Sequence, residues 1–90
     1  MRAYVFMQTK FGACKEVVEY LRKSHEESFR KGVSLYGWYD AVAEFEISST
    51  QELSHIVDDL KRNYLNINHI GTAVEKTDAP NPLMNLERVK

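Results

Sequence analysis

The spacing of apolar positions along this chain switches between a repeat of two and a repeat of about 3.6, and the switches mark out six elements. Ala3-Tyr4-Val5-Phe6-Met7-Gln8-Thr9 is β-branched and aromatic enough for a strand, and its near-continuous apolarity predicts burial on both faces. Gly12 interrupts it. From Ala13 to about Lys23 the apolar residues Cys14, Val17, Val18 and Leu21 fall at i, i+3, i+4 and i+7, which predicts an amphipathic helix. A polar link, Ser24 to Ser28, follows. Phe29, Lys31, Val33 and Leu35 then alternate with their neighbours up to Tyr36, a strand that enters a tight turn at Gly37. Trp38 to Ile47 resumes as a strand, with Tyr39, Ala41, Ala43, Phe45 and Ile47 on one face and Trp38, Asp40, Val42, Glu44 and Glu46 on the other. Ser49-Thr50-Gln51-Glu52 reads as a capping box ahead of a helical stripe of Leu53, Ile56, Val57 and Leu60 that runs to about Asn63. Ile67 to Lys76 returns as a strand through Ile70, Thr72 and Val74. Asp78-Ala79-Pro80-Asn81-Pro82 ends it, because proline cannot donate to a ladder.

Strand, helix, strand, strand, helix, strand is the split βαβ order. The expectation is an α+β, ferredoxin-like βαββαβ domain over residues 1–77, followed by a C-terminal tail over 78–90. Its four-stranded antiparallel sheet carries both helices on one face. The second face stays open, bearing Trp38, Val42 and alternate residues of the first strand. An apolar face of that size on so small a domain marks an interface, so two copies are expected to pair face to face in the dimeric α/β-barrel manner.

Composition narrows the function. Ninety residues make one core, and hydrophobic residues at 43% with charged residues at 28% are ordinary for a folded domain. Twelve Lys and Arg against thirteen Asp and Glu give a net charge of -1, so the basic excess that tracks phosphates is missing and direct nucleic-acid binding is not expected. A single cysteine, Cys14, fits a reducing compartment. No apolar run approaches the length of a membrane span or signal peptide, so the chain reads as cytoplasmic with no membrane partner. His25, His55 and His69 match no metal-ligand spacing, and neither metal nor cofactor is expected. Cys14 lies on the apolar stripe of the first helix and reads as core filler, while Glu44 and Glu46 on one strand face read as solvated or salt-bridged charges. Lys31-Gly32-Val33-Ser34-Leu35-Tyr36 has only a faint likeness to an RNA-binding strand and lacks its stacking aromatics.

The segment Leu35-Tyr36-Gly37-Trp38-Tyr39-Asp40-Ala41-Val42-Ala43-Glu44-Phe45 resembles the Gly-x-Tyr-Asp hairpin of the Lrp/AsnC ligand-binding domain, also called the domain for regulation of amino-acid metabolism. The first strand, the capped second helix and Ile70-Gly71-Thr72-Ala73-Val74 fall in that family's order. The chain starts directly with strand one, so it resembles the stand-alone type without a helix-turn-helix half. The resemblance implies a small-molecule effector, most naturally an amino acid, bound near Tyr36, Gly37, Trp38, Tyr39 and Asp40, with Thr72 contributed by a neighbouring copy. It also implies a homodimer, a higher ring-like oligomer and a role in transcription regulation without catalysis. A full-length Lrp/AsnC paralogue is a further partner it suggests. Turn chemistry alone also explains Gly37 and Asp40, glycine through a positive φ and aspartate through local backbone bonding. The competing readings are a small dimeric α/β-barrel enzyme of monooxygenase or isomerase type, with His69 or Glu44 as its acid or base, and a purely structural assembly partner of a full-length regulator.

Overall fold

The computed structural model describes residues 1–64 and 66–76. Its elements are β1 (Arg2–Thr9), α1 (Cys14–Ser24), β2 (Phe29–Ser34), β3 (Ala41–Glu46), α2 (Thr50–Asn63) and β4 (Ile67–Val74). All strand pairs are antiparallel and the sheet order is β2-β3-β1-β4, the ferredoxin-like α+β arrangement. The expected tail, 78–90, lies outside the described residues.

Strand periodicity divides the two sheet faces cleanly. Ala3, Val5 and Met7 of β1 and Ala41, Ala43 and Phe45 of β3 are fully buried, and they form one cluster with Val17 and Leu21 of α1 and Leu53, Ile56 and Leu60 of α2. Both helices therefore cover the same face. Burying seven large side chains this completely stabilises the fold by roughly 1.5–3 kcal/mol each. Gly32 is part of the packing, since a Cβ there would stand 2.4 Å from Val18 Cγ1, and α1 reaches β2 only because none is present.

α2 opens as its sequence indicates: Ser49 Oγ accepts from the Glu52 N–H at 3.4 Å. Glu52 reaches back one residue further than the simple box, to the N–H and hydroxyl of Ser48, and its other oxygen accepts from Ser28 Oγ at 2.6 Å. The cap thereby ties the α1–β2 link to α2. These hydrogen bonds hold the Glu52 carboxyl below its usual range, the Ser28 bond contributing most.

Three expectations need correction. β1 is buried on its helix side only; Arg2, Tyr4, Phe6 and Gln8 are half-covered, because no second layer lies over the open face among the described residues. β2 ends at Ser34, and its alternation breaks between Phe29 and Lys31, where a register shift puts Phe29 opposite Phe45 on the helix side while Lys31 and Val33 face the open side. β3 begins at Ala41 rather than Trp38. Tyr39 accordingly does not share a face with Ala41: its ring stacks on Phe6 at 5.6 Å, on the open side.

Candidate functional site

The open face is graded along the strands. Val33, Val42, Phe6 and Gly71 sit opposite one another in register and form one apolar row across all four strands. Tyr39 extends it over Phe6 and Gly71, and a Cβ on Gly71 would stand 2.6 Å from the Tyr39 hydroxyl. Tyr4 continues the aromatic line at 6.4 Å from Phe6. Beyond it the face becomes charged. Arg2 donates to Glu44 at 2.6 Å and to Glu46 at 3.0 Å, and the N-terminal ammonium pairs with Glu46 at 2.9 Å. The amine first, then Arg2, holds the Glu46 carboxyl below its usual range. Glu44 and Glu46 are thus the salt-bridged charges expected of them, carried on a central strand. Val42 lies on the open face as the sequence indicated.

The aromatic end of this face is where the β2–β3 hairpin projects. Tyr36 is fully exposed, Gly37 adopts φ 143° with open space where a side chain would be, and Trp38 is 64% exposed. Trp38 has neighbours on two sides. Its ring packs on His69 of β4 at 5.5 Å, and its carbonyl accepts from Gln8 Nε2 at 3.1 Å.

Asp40 closes the hairpin onto β1. Its N–H donates to the Met7 carbonyl at 3.0 Å, and its carbonyl accepts from the Leu35 N–H at 2.9 Å. Its carboxylate accepts the Thr9 N–H at 2.9 Å and the Thr9 hydroxyl at 2.5 Å. Burial pushes this carboxyl up, but the Thr9 bonds outweigh it and the net direction is down. Asp40 is therefore ionised at neutral pH and keeps lone pairs beyond the two it shares with Thr9. Tyr36, Gly37, Trp38, Tyr39 and Asp40 are brought together at one end of the sheet. Thr72 is not with them: it pairs with Val5, so it belongs to the helix side of the edge strand β4, exposed and across the sheet from His69 and Gly71.

A second polar cluster was not foreseen. Asp59 of α2 accepts from Tyr20 of α1 at 2.9 Å, lies 3.0 Å from His25 Nε2 and accepts from Asn63 Nδ2 at 2.8 Å, bridging the two helices. Desolvation, then the Asp59 bond, raises the Tyr20 hydroxyl pKa. His25 is thus a half-buried partner of Asp59 rather than a free surface residue. His55 is exposed, and Cys14 is half-buried with its thiol 3.7 Å from Ser34 Oγ. No group of three His, Cys, Asp or Glu side chains among the described residues is placed to hold a metal ion, and none of the described helices is long and apolar enough to cross a membrane.

No protein-family model and no curated protein matches this sequence. Solved structures do. FFRP-DM1 is 23% identical with a TM-score of 0.69, over 83% of this chain and 97% of that one. AsnC of E. coli is 13% identical with a TM-score of 0.61, and this chain spans 54% of its length. The same fold also occurs in an enzyme, a 5-chloro-2-hydroxyhydroquinone dehydrochlorinase from Burkholderia phenoliruptrix, 10% identical with a TM-score of 0.60 over 84% of this chain and 94% of that one. Fold alone does not choose between such activities. The architecture is the ferredoxin-like one expected from the order of elements, and this chain shares its fold with FFRP-DM1 and AsnC.

Proposed function

We propose that this chain is a non-enzymatic, amino-acid-responsive assembly domain of the cytoplasm, related to the effector half of Lrp/AsnC regulators. Two copies pair through their open sheet faces, and dimers join into a closed ring. The observation that carries this is the apolar row Val33, Val42, Phe6 and Gly71 with Tyr39 laid across it, on a face that no further element among the described residues covers. The effector lies at the rim of that face, with the Asp40 carboxylate taking its ammonium group and the exposed backbone around Gly37 its carboxylate. Thr72, on the helix side of β4, is contributed by a copy in a neighbouring dimer. A DNA-binding paralogue joining the ring would carry the response to a promoter.

An enzymatic role finds less support. Of the two side chains best suited to acid–base work, His69 is exposed and stacked on Trp38, and Glu44 is paired with Arg2 on the open face. Calorimetry against the twenty amino acids tests the proposal. A charge-assisted hydrogen bond is worth about 1.5–3 kcal/mol, so Asp40→Asn weakens binding roughly tenfold to a hundredfold and Thr72→Val less. Unchanged affinity in Asp40→Asn would leave Asp40 as a turn former and the site reading would fall.

A further inference from the structure

Beside Asp40 and Gly37 the hairpin carries an exposed aromatic surface. Trp38 is held at both ends: its carbonyl accepts from Gln8 Nε2, and one side of its ring rests on His69. With 64% of the residue exposed, the ring still offers apolar surface to solvent. A tryptophan packed on one neighbour and otherwise uncovered is an unusual use of so large an apolar side chain. Inward of it Tyr39, its ring on Phe6 and its hydroxyl over Gly71, belongs to the row given to pairing, so Trp38 is the aromatic ring left at the rim. From Leu35 to Ala41 the only charged side chain is Asp40, and two of its acceptor positions are already given to Thr9. The remaining capacity suits one ammonium group. A second cation on the ligand would find no further carboxylate in the hairpin, and an anionic side chain would find no cation there; either would lose hydration against the aromatic surface without a partner.

We propose that Trp38, backed by His69, is the side-chain subsite of the hairpin, and that the effector is an amino acid with an aromatic or large apolar side chain. This rests on the hairpin binding an amino acid at all. Trp38 is the single tryptophan of the chain, so its fluorescence reports directly on occupancy. L-phenylalanine, L-leucine, L-lysine, L-glutamate and glycine are titrated into the full chain, followed by Trp38 emission and by calorimetry. Phenylalanine or leucine binds at least about tenfold tighter than lysine, glutamate or glycine, with a change in Trp38 emission. In calorimetry Trp38→Ala removes that preference and Trp38→Phe retains it. Lysine or glutamate binding as tightly as phenylalanine, or a preference that survives in Trp38→Ala, overturns the subsite while Asp40-dependent binding stands. A folded Trp38→Phe that has lost the preference overturns it too. If none of the five ligands binds, the underlying reading of the hairpin falls with it.

Discussion

Removing the Asp40 side chain separates its role in the fold from its role toward a ligand. In Asp40→Ala the Thr9 N–H and hydroxyl lose their acceptors, the latter on a residue only 9% exposed. Each charge-assisted bond contributes about 1.5–3 kcal/mol when well sheltered, and solvent screening of a half-covered carboxylate cuts the pair to about 2 kcal/mol in total. For a domain of this size that lowers the melting temperature by roughly 8–16 °C. Asp40→Asn keeps an oxygen for the Thr9 N–H and an amide that the hydroxyl can accept from, so it loses about half as much. The pH dependence has a definite sign. The folded carboxyl lies below its unfolded value of about 3.9, so its contribution is complete above that value and disappears as pH falls through the folded one. Thermal melts by circular dichroism at fixed protein concentration, from pH 7 to pH 2.5, compare wild type with both variants. The gap between wild type and Asp40→Ala stays level down to about pH 5 and narrows below pH 4. Equal melting temperatures at pH 7, or a gap unchanged at pH 2.5, would refute the hydrogen-bonding account.

Two further changes probe the packing that presents the open face. Gly32→Ala forces a Cβ to within 2.4 Å of the stiff, β-branched Val18 side chain and destabilises the fold by about 1–3 kcal/mol, read from urea melts. Phe45→Ala empties a fully buried site between Phe29, at 5.6 Å, and His25, at 6.5 Å, and is destabilising by about 3–5 kcal/mol in the same assay.

Elements whose pattern is local were legible from the residues alone. The stripe Leu53, Ile56 and Leu60 behind Ser49 specifies α2, and the alternation Ala41, Ala43, Phe45 specifies the buried face of β3. The hairpin misled for a physical reason: Trp38-Tyr39-Asp40 continues the alternation in sequence, while in space Asp40 turns to satisfy Thr9, 31 residues away, and Tyr39 turns to Phe6. Nothing in a period of two encodes that competition. The bulge beside Arg30 is similar, since one displaced residue reverses the faces without altering the apparent pattern. Tyr20, His25 and Asp59 carry no motif spacing, and only the packing of α1 on α2 brings them together. Within the candidate site, the residues from Tyr36 to Asp40 were legible because a turn keeps neighbours in sequence adjacent in space. His69 was legible only as a histidine on or near a strand; its contact with Trp38 crosses 31 positions and needed the sheet register.

The central claim is that the open face is an assembly face, and solution mass tests it most directly. Light scattering at micromolar concentration is predicted to give a dimer or a multiple of one for the wild type. Phe6→Glu, which places a charge in the middle of the apolar row, is predicted to give a monomer with an unchanged circular dichroism spectrum. A wild-type chain of monomer mass, 10.5 kDa, would contradict the account.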